Sequence, residues 1–271
     1  MLERIEETFS RVRKENRAAF VAYLCAGDPD YTTSLAAAKA ILESGVDVLE
    51  LGAPFSDPLA DGVTNQLAAQ RALANGFRTA DLFRLVEDIR KKDNTTPIII
   101  YTYYNLLCAP GVESYVRRAM EAGVDGLLVL DLPPEEAEPL LEISREVGMG
   151  NIFIVAPTTP DARIPIIAEV ASGFIYYVSR AGVTGERKDL AGDLAESVER
   201  IRRCTDLSVV VGFGISSAEQ VRAVAMVADG VVVGSTLVNC IPAEPSGKDA
   251  ICERLRQRMA DLTANDALVR A

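Results

Sequence analysis

Short runs of β-branched, aromatic and aliphatic residues recur along the chain, separated by stretches in which apolar residues return every three or four positions. The runs are Phe20–Ala26, Val46–Leu51, Pro97–Tyr104, Gly126–Leu132, Ile152–Ala156, Phe174–Ser179, Ser208–Phe213 and Gly230–Gly234. Between them, Ser34–Glu43, Ala80–Lys91, Val112–Glu121, Glu135–Glu146 and Leu194–Arg203 carry the helical spacing. Strands this uniformly apolar are buried on both faces, which is the habit of a parallel sheet covered by helices. Eight is the number of strands that closes such a sheet, so the pattern predicts an α/β fold, a (β/α)8 TIM barrel, over residues 1–271 as one domain. An open doubly wound sheet is the alternative.

Leu2, Ile5, Phe9 and Val12 form an apolar stripe among charged residues and predict an added N-terminal helix rather than a signal peptide. A short motif also repeats where helix gives way to strand: SerGlyValAspVal at 44–48, AlaGlyValAspGly at 122–126 and AlaAspGlyValVal at 228–232. Its glycine suits a helix C-cap. The ProAlaGluProSerGly stretch at 242–247 separates the last unit from a terminal helix.

Composition narrows the chemistry. With 28 Lys+Arg against 39 Asp+Glu the net charge is -11, which disfavours nucleic acid and anionic membranes as partners. A small anion remains accessible to backbone N–H groups. No apolar run approaches the roughly 18 residues of a membrane helix. Five widely spaced cysteines without a CxxC pair suggest neither a disulfide framework nor a zinc site, and a reducing cytoplasm is the expected location. Histidine is absent, which removes Ser-His and Cys-His nucleophiles and His-ligated metals and leaves carboxylates, Tyr, Lys and Cys for proton transfer.

In a barrel the functional groups stand at the C-terminal ends of the strands. Alternation along the second strand sets Val46, Val48 and Glu50 on one face and Asp47, Leu49 and Leu51 on the other, so Glu50 can face the interior. Either a neighbouring cation pairs with it there, or an apolar surrounding raises its pKa so that one carboxyl both gives and takes protons near neutrality. The loop that follows, AlaProPheSerAspProLeuAlaAspGly at 53–62, is long enough to bring Asp61 back over the barrel mouth as a second carboxylate. For Asp57, a turn or capping role stands beside a chemical one. Gly182 and Gly185, then Gly212 and Gly214, then Gly234 with Ser235 follow the sixth, seventh and eighth strands, where barrels of this kind bind phosphate.

GluLeuGlyAlaProPheSerAspProLeuAlaAspGly at 50–62 closely resembles the signature of the tryptophan synthase alpha subunit family. SerArgAlaGlyValThrGly at 179–185 resembles its sixth loop, and AlaGlyAspPro at 26–29, TyrTyrAsn at 103–105 and GlyPheGlyIle at 212–215 agree in order and spacing. The resemblance covers essentially the whole chain. It implies a lyase that cleaves indole-3-glycerol phosphate into indole and glyceraldehyde 3-phosphate, with Glu50 as acid/base and Asp61 accepting the indole N–H. It further implies that Thr184 meets Asp61 on loop closure and that Tyr176 lies near Glu50. Tyr23, Leu128 and Phe213 would line the indole pocket, and Gly185, Gly214, Gly234 and Ser235 would hold the phosphate. No cofactor is implied for this chain. The implied partner is a pyridoxal-phosphate beta subunit in an alpha2beta2 heterotetramer, and the Pro54–Asp61 loop, with Asp57 and Pro58 beside Phe55 and Leu59, has the composition of its interface.

Ala53, Val63, Asn65, Tyr101 and Leu106 depart from the commoner family pattern, and none removes a proposed catalytic group. A free-standing lyase, a non-catalytic regulator of a beta subunit and a generic phosphate-binding barrel isomerase are the competing readings. Intact Glu50 and Asp61 argue against the regulator, and turnover with and without a beta subunit separates the first from the complex.

Overall fold

A computed structural model describes residues 2–179, 190–212, 214–241 and 247–270. Strands β1 (Ala19–Cys25), β2 (Val48–Gly52), β3 (Ile98–Thr102), β4 (Gly126–Val129), β5 (Gly150–Val155), β6 (Phe174–Val178), β7 (Ser208–Gly212) and β8 (Gly230–Val233) pair in sequence order, all parallel. β8 then pairs with β1, Ala19 opposite Gly230, and the barrel is closed. Closure removes both free sheet edges, which an open doubly wound sheet would keep.

Helices α1 (Leu2–Lys14), α2 (Tyr31–Glu43), α3 (Val63–Ala74), α4 (Thr79–Arg90), α5 (Tyr104–Cys108), α6 (Val112–Ala122), α7 (Glu138–Val147), α8 (Ile164–Val170), α9 (Leu190–Arg202), α10 (Ala218–Ala225), α11 (Ser235–Val238) and α12 (Lys248–Leu262) follow in chain order. Local chemistry sets several of their ends. The Asp30 carboxylate accepts the Thr33 N–H at 2.9 Å and caps α2, and α6 stops at Gly123, whose φ of 97° suits a residue without a side chain.

Period-two alternation divides the strand side chains between two layers. Leu49, Leu51, Ile98, Ile100, Leu127, Val209, Val211, Val231 and Val233 point outward and pack under the helices. Val21, Val48, Ile99, Leu128, Ile152, Phe174, Val210 and Val232 fill the interior. The barrel is thus a packed core rather than a pore. From below, α1 closes it: Ile5, Phe9 and Val12 join the interior cluster, and the Phe9 ring lies 5.6 Å from that of Phe174.

The repeated motif gains a physical meaning at this lower end. Asp47, Asp125 and Asp229 each stand immediately before a strand and accept a backbone N–H from the preceding strand of the pair: Phe20 at 2.9 Å, Ile98 at 2.8 Å and Val209 at 2.9 Å. Arginines complete each carboxylate. Arg11 and Arg17 reach Asp47, Arg4 and Arg90 reach Asp125, and Arg202 and Arg270 reach Asp229. Gly45 and Gly123 of the motif do adopt positive φ after a helix, whereas Gly230 is the first residue of β8 and needs no such freedom.

Some boundaries differ from the sequence reading. The third strand stops at Thr102, because α5 begins at Tyr104 with the extended Tyr103 as its N-cap, and the fourth stops at Val129 ahead of Pro133 and Pro134. Residues 135–146 begin as a 3-10 turn over Pro134–Glu136 before α7. Val46 packs with the outer layer, not beside Val48, since it precedes β2 and escapes the strand's alternation. Among the described residues no helix is long and apolar enough to cross a membrane.

Candidate active site

At the C-terminal ends of the strands lies a cavity of about 500 Å³. Tyr23, Glu50, Tyr101, Leu128, Ile154, Tyr176 and Val232 form its floor and walls, Asp61 and Asn65 its rim, and Gly214, Gly234 and Ser235 one side. The floor is apolar where Leu128, Ile154 and Val232 meet. Two tyrosines fit because glycine stands on the neighbouring strand: a Cβ at Gly52 would collide with the Tyr23 hydroxyl, and one at Gly212 with the Tyr176 hydroxyl.

Glu50 is the anomaly in this layer. It sits on β2 opposite Tyr23 of β1 and Ile99 of β3, is 1% exposed, and its Oε1 has no hydrogen-bond partner among the described residues. Structural ion pairing, the alternative reading of an inward acid, is therefore not its arrangement. Burial, and secondarily the charge of Asp61, pushes its pKa up to about 8. The group carries its proton at neutrality and can release it within the range a general acid needs.

Asp61 arrives from the loop between β2 and α3 and is half-buried. Its carboxylate is held by three donors. Tyr101 Oη donates to Oδ1 at 3.0 Å, Tyr103 Oη to Oδ2 at 2.6 Å, and Asn65 Nδ2 to Oδ1 at 3.4 Å. Tyr103 also accepts the Ala60 N–H at 3.0 Å and packs its ring 5.1 Å from Phe55, while Gln66 Nε2 donates to the Asp61 carbonyl at 2.8 Å. The whole loop is thereby tied to β3 and to the first turn of α3. Burial raises the pKa of both tyrosines, followed by the charge of Asp61 at Tyr101 and by the hydrogen bond to Asp61 at Tyr103, so both hydroxyls stay protonated as donors.

Tyr176 projects from β6 into the same cavity. Burial and then the Glu50 charge raise its pKa well above the ordinary tyrosine value, and Tyr23, also buried, behaves alike. Gly214 has a φ of 68°, in the region that favours glycine, and Gly234 precedes α11 with Ser235 as that helix's first residue. Thr184, Gly185 and Phe213, together with Gly182, lie outside the described residues.

The structure therefore brings Glu50, Asp61, Tyr23, Leu128, Tyr176, Gly214, Gly234 and Ser235 around one cavity. Asp57 and Pro58 stand apart from it on the outer side of the loop, where Asp57 is exposed and the adjacent Leu59 is 94% exposed. The sequence marks Tyr101 and Asn65 as departures from the family pattern and Tyr103 as part of a shared motif, but assigns none of the three a place in the site. Inward parity on the third strand marks Tyr101, but nothing local marks Tyr103 as its companion. A depression of about 410 Å³ at the opposite end of the barrel, between α1 and the strand starts, offers no comparable group, since Arg4 and Arg11 there already pair with Asp125 and Asp47.

Comparison with known proteins agrees over the length of the chain. The family described as tryptophan synthase alpha chain matches residues 9–266. The tryptophan synthase alpha chain of Opitutus terrae is 59% identical over 263 residues, covering 97% of this chain and 98% of that one, and the alpha chain of Caulobacter vibrioides is 45% identical over 96% and 94%. Among solved structures, tryptophan synthase from M. tuberculosis in an aminoacrylate-bound form superposes with a TM-score of 0.86 at 34% identity, covering 98% of this chain and 99% of that one. A structure described as the a2b2 complex of tryptophan synthase from Pyrococcus furiosus superposes with a TM-score of 0.83 at 40% identity, covering 91% and 98%.

Proposed function

The chain belongs to the tryptophan synthase alpha chain family, and from that premise we propose which of its residues carry the reaction. The reaction is the lyase step of tryptophan biosynthesis that splits indole-3-glycerol phosphate into indole and glyceraldehyde 3-phosphate. Glu50 is the acid and base. Protonated at neutrality, it delivers its proton to indole C3, and the positive charge that develops spreads to the ring nitrogen. The resulting carboxylate then removes the proton of the hydroxyl on the adjoining carbon. As that oxygen becomes a carbonyl, the carbon–carbon bond breaks, its electron pair returns to the ring, and Glu50 ends in the state in which it began.

Asp61 accepts the ring N–H and offsets the transient positive charge. Tyr23 and Leu128 bound the ring, with Phe213 expected beside them, and Tyr176 lies against Glu50 and the glycerol chain. Gly214, Gly234 and Ser235 present backbone to the phosphate, joined by Gly185. Thr184 closes on Asp61. The chain needs no cofactor of its own for this chemistry, because the protonated ring itself serves as the electron sink.

The observation that carries the reading is a buried, unpartnered Glu50 oxygen facing an apolar cavity whose rim bears a second carboxylate. The edge of the loop formed by exposed Asp57 and Leu59 with half-buried Pro58 between them is the proposed contact with a pyridoxal-phosphate beta subunit in an alpha2beta2 assembly, by analogy with the complex named for the Pyrococcus furiosus protein. Both parts are tested by following indole release from indole-3-glycerol phosphate with the purified chain, alone and with saturating beta subunit. Release by the chain alone, accelerated by the partner, is expected. No release in either condition would falsify the catalytic assignment, and equal rates would remove the coupling.

A further inference from the structure

The three donors on Asp61 are more than loop packing, because two of them come from side chains that line the cavity itself. Tyr101 and Asn65 both line the cavity and both point a donor at the same carboxylate oxygen, Oδ1. The Tyr101 ring has little freedom. On β3 it lies opposite Gly52 of β2 and Leu128 of β4, and the Tyr23 ring meets it edge-on at 5.2 Å and 71°. A ring fixed in this way puts its hydroxyl at one place on the barrel wall, whereas Asp61 belongs to a loop and brings its own rotamer freedom.

We propose that Tyr101 is a positioning residue: its hydroxyl, with help from Asn65, aims the Asp61 carboxylate at the ring nitrogen of the substrate before the substrate arrives. The inference rests on the reading of Asp61 as acceptor of the indole N–H. Each carboxylate oxygen has two lone-pair directions: Tyr101 and Asn65 take those of Oδ1, whereas the single bond from Tyr103 leaves Oδ2 room for a further donor. The geometry that a ligand or partner would otherwise have to impose on the loop is thus already present, and the ordering cost is not charged to the transition state.

The experiment compares the parent chain with Tyr101→Phe, Tyr101→Leu and Asp61→Ala. It measures kcat and KM for cleavage, thermal stability, and affinity for a non-cleavable indole-alkyl phosphate and for its N-methylated counterpart, which has no N–H to donate. Tyr101→Phe keeps the ring and removes only the hydroxyl; it should lower kcat about tenfold, the scale of one hydrogen bond to a charged group, while KM moves less. It should also shrink the preference for the N–H ligand over the N-methyl ligand, with the melting temperature unchanged. Tyr101→Leu should do the same if the hydroxyl, not the ring, is responsible. Asp61→Ala should abolish the preference altogether. A folded Tyr101→Phe variant with parental kcat, or one that loses kcat while keeping the full N–H preference, overturns the role of Tyr101. An Asp61→Ala variant that keeps the preference overturns instead the reading of Asp61.

Discussion

Asp47, immediately before β2, and Glu50, the third residue of that strand, stand three residues apart, and their surroundings are opposite. Asp47 is 3% exposed and accepts from Arg11, Arg17 and the Phe20 N–H. Burial alone would raise its pKa, but these partners outweigh burial and hold it below the ordinary aspartate value. Glu50 is as deeply buried, has one oxygen without any partner, and is pushed up to about 8. Three residues of chain therefore separate a carboxyl kept charged from one kept neutral at pH 7. The carboxylates of the lower rim are satisfied and hold the fold together. Toward the mouth Asp61 is satisfied too, but one oxygen of Glu50 has no partner among the described residues and faces the cavity that a ligand would fill.

The comparison breaks first at Glu50. Replacing it with glutamine should cut cleavage by roughly 10²–10⁴-fold, because an amide of the same shape cannot relay the proton. The folded parent binds more protons at Glu50 than the unfolded chain between the ordinary glutamate pKa and about 8. Stability from this group is therefore full at the acid end of that window and is lost as pH rises through it, on the order of 4 kcal/mol. Denaturant titrations from pH 5 to 9 should show that slope in the parent and its absence in Glu50→Gln. Asp47 has the opposite sign: its contribution is present above the ordinary aspartate pKa and disappears only as pH falls below it. A Glu50→Gln variant with the parental slope would mean that the raised pKa belongs elsewhere.

The lower rim is tested by Asp125→Ala, which leaves Arg90, with 9% of its side chain exposed, buried without its carboxylate. Removing one member of such a buried pair should cost about 3 kcal/mol of stability. The cleavage rate of the molecules that remain folded should be unaltered, since both arginine partners of Asp125 lie at the far end of the barrel. A loss of turnover without loss of stability would show that the two ends are not separable. A smaller effect is expected at Gly214→Val, where a side chain at a φ of 68° strains the loop and blocks backbone approach. Affinity for glycerol phosphate should fall by about tenfold while indole alone is less affected, as loss of one charge-assisted backbone contact would give. Calorimetry with the two ligands separates the cases, and equal weakening of both would indicate general distortion.

What was legible in the sequence follows a physical line. Strand alternation and helical spacing are local signals, and they suffice for eight strands, the inward face of Glu50 and the N-terminal helix α1, though not for that helix's place beneath the barrel. The motif at 44–48, 122–126 and 228–232 was visible as a pattern, but its aspartates were not visible as ion clusters. Their partners Arg4, Arg90 and Arg270 lie tens to hundreds of residues from them in sequence. The bond from Tyr103 to Asp61 is hidden for the same reason, with 42 residues between its ends. Tyr103 and Tyr104 read as strand because both are β-prone; Tyr103 indeed stays extended, but as the residue before α5, and Tyr104 begins that helix despite its propensity.

The closure of β8 onto β1 has a consequence for the chain as it is being made. The N–H of Ala19 bonds to the carbonyl of Asp229, and that of Ala18 to the carbonyl of Leu268, so the first strand is finished only by residues from the last part of the sequence. Until β8 emerges, roughly 200 residues after β1, one side of the opening sheet has no neighbour and the interior has no complete wall. During that interval of synthesis the nascent polypeptide displays an apolar edge to its surroundings, and any early shielding of it must come from outside the sheet.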